Sequence, residues 1–229
     1  MLKPIIVFDL DGTLVDTATD LLESLNHCLD VGGLQQADPV SLRRYVGLGA
    51  RVMIERAYQA QQKQLKSDEL DQLVAVFLEH YAYNMPGKAR IFDGAIEALD
   101  RFASRGYLLA ICTNKFEGLA VKLLDGLNLS DRFGAISGSD SFAFRKPDPR
   151  HLTQTIAAAG GDADRAVMIG DSRTDIDTAK AAGIPVVAVD FGYTDVPVNV
   201  LGPSRIISHY DELTISMVEQ LTGAVMPRL

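Results

Sequence analysis

The chain has 229 residues, 47% of them hydrophobic, with a formal net charge of −8. That is enough for one large domain or two small ones around a sizeable core. The negative balance argues against nucleic acid as a partner, since phosphate backbones favour a basic face, and no apolar run reaches the roughly 18 residues of a membrane span. Neither exclusion touches a small anionic ligand, which needs only a few local cations or a metal. Cys28 and Cys112 stand alone, and Met1-Leu2-Lys3-Pro4 runs on without the charged-then-apolar texture of a leader. The expectation is a cytoplasmic protein with buried, reduced thiols.

The first element is an apolar strand over 3–8, and Asp9-Leu10-Asp11-Gly12-Thr13 begins where it stops. Leu21, Leu22, Leu25 and Leu29 then recur at helical spacing, with Thr17 or Thr19 as the cap and Gly32-Gly33 as the stop. Helical pieces are predicted over 41–45 and 50–60, and a further amphipathic helix starts at Ser67. Residues 16–86 therefore read as all-helical, closed by the turn Met85-Pro86-Gly87-Lys88. Beyond it helices and strands alternate. The helices are predicted over 95–103, 117–127, 149–159, 174–182 and 211–221. The strands are predicted over 107–112, 135–137, 166–169, 185–189 and 205–207. Such alternation implies βαβ units and a parallel sheet. The predicted fold is α/β: a Rossmann-like parallel sheet core (1–15 and 87–229) with helices on both faces, plus an inserted all-helical cap domain (16–86).

Asp9, Thr113 and Asp171 each sit just past a predicted strand, and Lys146 follows the loop after 135–137. Ligands in open α/β sheets bind outside the carboxyl ends of the strands, so these residues are expected to meet. The Asp pair at the first strand end is a nucleophile with a proton carrier, or a metal site. Asp9, Asp11, Asp171 and Asp175 in one crevice would repel one another and protonate in part. A hard divalent cation removes that conflict, and Mg²⁺ suits oxygen ligands. With the Thr113 hydroxyl and the Lys146 charge, the set describes a phosphoryl-group site. Each motif alone also reads as a polar turn or a helix cap.

Four motifs in this order, Asp9-Leu10-Asp11-Gly12-Thr13, Thr113-Asn114-Lys115, Arg145-Lys146-Pro147-Asp148 and Gly170-Asp171-Ser172-Arg173-Thr174-Asp175, resemble those of the haloacid dehalogenase-like hydrolases. The helical insert after the first motif resembles their helical-cap subclass. The resemblance implies that Asp9 is a nucleophile forming an aspartyl-phosphate, and that Asp11 protonates the leaving oxygen and then activates water. It implies that Thr113 and Lys146 hold the phosphoryl oxygens. It also implies Mg²⁺ bound by Asp9, the Asp11 carbonyl and Asp171, with Asp175 in support. Asp11 favours phosphate esters over carbon–halogen bonds, because an alkoxide needs a proton.

Thr113-Asn114-Lys115 and Phe191-Gly192-Tyr193 further resemble phosphoglycolate phosphatases, which makes 2-phosphoglycolate the first substrate candidate. A sugar-phosphate or nucleotide phosphatase, a β-phosphoglucomutase-like mutase and, remotely, a receiver-like phospho-acceptor module are the alternatives. Thr13, Asn114, Lys115, Gly49 and Arg51 are the candidate substrate-binding residues, the last two in a Gly-rich turn before a helix, where Arg51 could pair with a substrate carboxylate. The expected partner is a small phosphorylated metabolite, acted on by a monomer or homodimer. The four histidines read as surface or helix-face residues, Tyr81 and Tyr83 as packing, and Asp93 as the cap of the helix that follows it.

Overall fold

The computed structural model describes residues 2–38 and 43–223. In chain order the strands are β1 (Lys3–Phe8), β2 (Val15–Asp16), β3 (Arg90–Ile91), β4 (Leu108–Cys112), β5 (Ala135–Ser137), β6 (Gly161–Gly170), β7 (Val186–Val189) and β8 (Arg205–Ile207). The α-helices are α1 (Ala18–Val31), α2 (Ala50–Ala60), α3 (Ser67–Asn84), α4 (Ala95–Ser104), α5 (Glu117–Gly126), α6 (Pro149–Ala158), α7 (Arg173–Ala181) and α8 (Ile215–Thr222).

Six strands form one parallel sheet in the order β5-β4-β1-β6-β7-β8. The near-continuous apolar strands are what a sheet covered on both faces requires. Alternate residues feed opposite cores. Ile6, Phe8, Ile111 and Ile169 pack with Leu99 and Phe102 of α4, Leu123 and Leu124 of α5 and Val218 of α8. Ile5, Val7, Ala110 and Met168 pack with Leu152 and Ile156 of α6 and Ile176 and Ala179 of α7. Each fully buried aliphatic or aromatic side chain contributes about 1.5–3 kcal/mol. The chain winds outward from β1 through β4 to β5, then crosses back to β6 on the other side of β1. β1 is therefore at the switch point, where the crevice of such a sheet opens.

The helical block α1–α3 leaves and returns through a two-stranded antiparallel ribbon, with Val15 opposite Ile91 and Asp16 opposite Arg90. Within it, Leu25 and Leu29 of α1, Met53 and Ile54 of α2 and Leu73 and Phe77 of α3 are buried in one cluster, continuous with the core under β1. Of the helical piece predicted over 41–45, residues 41 and 42 lie outside the described residues, and a 3₁₀ helix spans Arg43–Leu48.

Several local expectations are corrected. Thr17 precedes α1 but makes no side-chain cap; its hydroxyl donates to Asp11, while the Ala18 N–H goes to Asp16 Oδ1 (3.3 Å) and to the Tyr193 hydroxyl (3.0 Å). Asp93 does not cap α4. Gly94 takes that position in a left-handed conformation (φ 78°), which its lack of a Cβ permits. The last helix begins at Ile215 rather than near 211, because the Thr214 hydroxyl accepts the Met217 N–H (3.2 Å) and the preceding Tyr210–Glu212 forms a 3₁₀ turn.

Candidate active site

Because β4, β1 and β6 are adjacent and in register, with Phe8 level with both Ile111 and Ile169, their next polar residues emerge side by side. Asp9, Thr113 and Asp171 are those residues, all buried. One carboxylate oxygen from each of Asp9, Asp171 and Asp175 lies within 4.8 Å of the others.

The loop after β1 is tightly wound. The Leu10 carbonyl accepts the N–H groups of Thr13, Leu14 and Val15 (3.3, 3.0 and 3.0 Å), and Gly12 turns at φ 82°. This folds Thr13 back, fully buried, to donate to Asp171 Oδ1 (3.1 Å). Asp171 Oδ2 accepts the Tyr193 N–H (2.5 Å). Three glycines make room for the carboxylates: a Cβ on Gly12 would meet Asp171 Oδ2 at 2.4 Å, one on Gly192 the Asp171 Cβ at 2.3 Å, and one on Gly170 the Asp175 Cβ at 2.3 Å.

Asp175 has two tasks. Its Oδ2 accepts from Ser172 N (3.0 Å) and Oγ (2.7 Å), closing a capping box at the start of α7, while its Oδ1 takes Lys146 Nζ (2.6 Å). Asp175 therefore caps α7 and at the same time stands in the carboxylate cluster with Asp9 and Asp171. Lys146 Nζ also stands 2.9 Å from Asp9 Oδ1, and its side chain is 2% exposed. Its loop is pinned by Asn114, whose Nδ2 donates to the Lys146 carbonyl (3.0 Å), and by His151, whose Nδ1 accepts the Lys146 N–H (3.1 Å). His151 is a helix-face residue of α6, as one of the two expectations had it, but fully buried rather than at the surface. Burial, aided by the Lys146 cation, pushes it down to about 4, so the ring is neutral.

The electrostatics is that of a site short of positive charge. Burial, opposed by Lys146 and reinforced by Asp175, pushes Asp9 up to about 6. Burial, with the Asp175 and Asp9 charges added, raises Asp171 well above the carboxylate range. Burial works against the Lys146 ammonium, but Asp175 and Asp9 outweigh it and raise its pKa. Three buried carboxylates face one buried ammonium, an excess of two negative charges that one divalent cation neutralises. Asp9 Oδ1 is buried with only the Lys146 ammonium beside it (2.9 Å), so the oxygen keeps acceptor capacity for an ion. The donor set is all oxygen, which suits a hard cation.

Asp11 is outside this triad. Its carboxylate accepts both bonds of Lys115 Nζ (3.0 and 2.8 Å) and the Thr17 hydroxyl (2.7 Å). Thr113 is anchored by its N–H to the Ser137 carbonyl (3.0 Å), and its hydroxyl accepts the Lys115 N–H (3.3 Å). Gly49 (φ 87°) is exposed, and Arg51 is half exposed and paired with Asp71 of α3. The haloacid dehalogenase-like hydrolase model matches residues 6–189. The chain belongs to that family.

Among other haloacid dehalogenase-like hydrolases, the chain is 61% identical to a phosphoglycolate phosphatase of Mesorhizobium japonicum, over 98% of this chain and 99% of that one. It is 48% identical to a phosphoglycolate phosphatase of Agrobacterium fabrum, over 97% and 95%. The crystal structure of a predicted phosphoglycolate phosphatase from Haemophilus somnus superposes with a TM-score of 0.85 at 29% identity, covering 92% of this chain and 96% of that one. Within this member of the family, the sequence did not single out His151, Ser172 or Thr17 as supports of the site, and it marked Tyr193 only within Phe191-Gly192-Tyr193. A further local signal was Ser172-x-x-Asp175, a capping-box spacing. No helix among the described residues is long and apolar enough to cross a membrane.

Proposed function

We propose that this chain is a magnesium-dependent phosphatase of small phosphate monoesters, with 2-phosphoglycolate first among them, working through an aspartyl-phosphate on Asp9. The observation that carries the reading is the buried triad Asp9, Asp171 and Asp175 beside Lys146 at the ends of β1 and β6. The names of the relatives at 61% and 48% identity support phosphoglycolate and favour hydrolysis over the mutase and receiver readings. Residues 16–86 act as a cap over the sheet domain, a division supported by the ribbon through which the block leaves and returns. Free Cys28 and Cys112 support a cytoplasmic setting.

An Asp9 carboxylate oxygen attacks phosphorus, and the bond from phosphorus to the leaving oxygen breaks. Asp11 delivers its proton to that oxygen. Lys146 and the Thr113 hydroxyl hold non-bridging oxygens, and Lys146 remains beside Asp9 to offset its charge. Water then gives a proton to Asp11 and attacks the aspartyl-phosphate; the phosphorus–Asp9 bond breaks and phosphate leaves with Asp9 restored. Mg²⁺ held by Asp9, the Asp11 carbonyl and Asp171, with Asp175 in support, supplies charge stabilisation at the phosphoryl group. Lys115, Asn114 and Thr13 line or brace the pocket, and Gly49 and Arg51 are proposed to reach the substrate from the cap. A panel of phosphate monoesters, assayed for phosphate release with and without chelator, tests this. Turnover of 2-phosphoglycolate only with Mg²⁺ is expected, and metal-independent turnover contradicts it.

The raised carboxylates make a stability prediction. In the metal-free protein Asp9 and Asp171 bind protons more tightly folded than unfolded. Their contribution to stability is therefore complete below the ordinary carboxylate range near pH 4 and is lost as pH rises, through about 6 for Asp9 and higher for Asp171. Magnesium replaces those protons. At about a hundredfold excess over its Kd it is expected to raise the unfolding midpoint by roughly 5–10 °C near pH 7.5 and much less near pH 5. Equal shifts at both values, read by calorimetry, would count against the triad as the metal site. A Gly192→Ala methyl, 2.3 Å from the Asp171 Cβ, displaces that carboxylate. Magnesium affinity, measured by titration calorimetry, is expected to fall by about tenfold or more.

A further inference from the structure

Tyr81, on α3 of the inserted block, has the helical spacing of a core residue, and its ring packs against Phe77 with centroids 6.4 Å apart. The structure adds two facts that packing alone does not explain. Lys115 Nζ stands 4.5 Å from the Tyr81 ring centroid, and this ammonium gives its bonds to both oxygens of Asp11. The Tyr81 residue is only 2% exposed, and its hydroxyl is buried against the Lys115 ammonium with no other hydrogen-bond partner among the described residues.

Facing only a cation, which donates, the phenol keeps its own proton undonated, and a phenylalanine of the same shape would pack as well without that cost. The phenol lies beside the Lys115 ammonium, which is itself bonded to Asp11. Burial, opposed in part by Lys115, pushes the phenol up to about 12, so it is a neutral group able to donate. Lys115 is held with both its bonds on Asp11, the residue assigned to carry the proton. An incoming carboxylate that takes Asp11's place at this ammonium arrives next to the phenol.

We propose that Tyr81 is a specificity-determining residue: its hydroxyl donates to the carboxylate of a carboxylate-bearing phosphate monoester while Lys115 pairs with the same group. This rests on the reading of the site as a phosphatase. It gives the cap a way to recognise the part of the substrate that the sheet domain does not touch. It also couples recognition to chemistry, because the carboxylate that engages Lys115 releases Asp11.

The test is Tyr81→Phe, which keeps the ring, its packing and its contact with Lys115. Steady-state kinetics on 2-phosphoglycolate and on p-nitrophenyl phosphate, which has no carboxylate, give a selectivity ratio of kcat/KM values. The ratio is expected to fall by about tenfold or more, carried by KM for 2-phosphoglycolate, the loss of one hydrogen bond to a charged group. Inhibition supplies a second readout: phosphonoacetate should weaken as an inhibitor of Tyr81→Phe by a similar factor relative to methylphosphonate. A selectivity ratio within about twofold of wild type, with 2-phosphoglycolate still a substrate, overturns the role of Tyr81 and leaves the phosphatase reading standing. Wild-type turnover of p-nitrophenyl phosphate but of no carboxylate-bearing ester overturns the phosphoglycolate reading and the Tyr81 role together.

Discussion

Asp9→Asn is expected to lower turnover by about 10,000-fold or more while the protein folds normally. The amide matches the carboxylate in shape but cannot attack phosphorus to form an acyl phosphate. It also removes one of three buried carboxylates, and burial, reinforced by Asp175, already pushes Asp9 up to about 6. Lys146 keeps Asp175 as its partner at 2.6 Å, so the variant leaves no buried ammonium without a counter-charge. The metal-free variant should therefore unfold at the wild-type temperature or above it. That separates a chemical defect from a folding defect: phosphate release reports the first and calorimetry the second. Near-normal turnover in Asp9→Asn would remove Asp9 as the nucleophile.

Lys146→Met has the second largest expected effect, and here stability and activity both respond. Methionine fills much of the space of the lysine stem but brings no charge. Asp9 and Asp175 lose the cation that stands 2.9 and 2.6 Å from them. Breaking a buried ion pair from one side costs about 3–5 kcal/mol, the upper end applying where the remaining carboxylates stay ionised. Lys146 lowers the Asp9 pKa, so its removal moves that value further above the unfolded one. The loss should then be large near pH 8 and shrink as pH falls and the carboxylates take up protons. Magnesium should recover much of the stability without recovering turnover, which should stay reduced by about 100-fold or more because a charge on the transferring phosphoryl group is gone. Urea unfolding at two pH values, with and without Mg²⁺, reads the first effect. A variant of wild-type stability at high pH in chelator would show that Lys146 does not balance the triad.

The outline of this site was readable before any coordinates because its chemistry follows apolar runs. Asp9, Thr113 and Asp171 each end a stretch that can only be a covered strand, and a parallel sheet gathers its strand ends on one edge. The pairing order β4-β1-β6, which makes those ends immediate neighbours, is a tertiary property that local pattern does not encode. Tyr81 packs as its spacing predicts. His151 has the helical spacing of an ordinary core residue, and only the direction of its Nδ1, which accepts the Lys146 N–H, connects it to the site. Thr17 sits where a cap belongs, yet its hydroxyl is drawn to Asp11 because Tyr193, distant in sequence, already serves the first N–H of α1. Gly12 and Gly192 read locally as turn glycines. The close approach of Asp171 that requires them becomes visible only once the loops after β1 and β7 meet.

Turnover by this mechanism passes through a phosphorylated Asp9. Acid-quenching the enzyme while it turns over 2-phosphoglycolate with Mg²⁺, reducing any acyl phosphate with borohydride and mapping the peptides by mass spectrometry tests it directly. Reduction is expected at Asp9 alone, dependent on both substrate and metal. Reduction at Asp11, Asp171 or Asp175 in its place, or none under conditions where phosphate is being released, would contradict it.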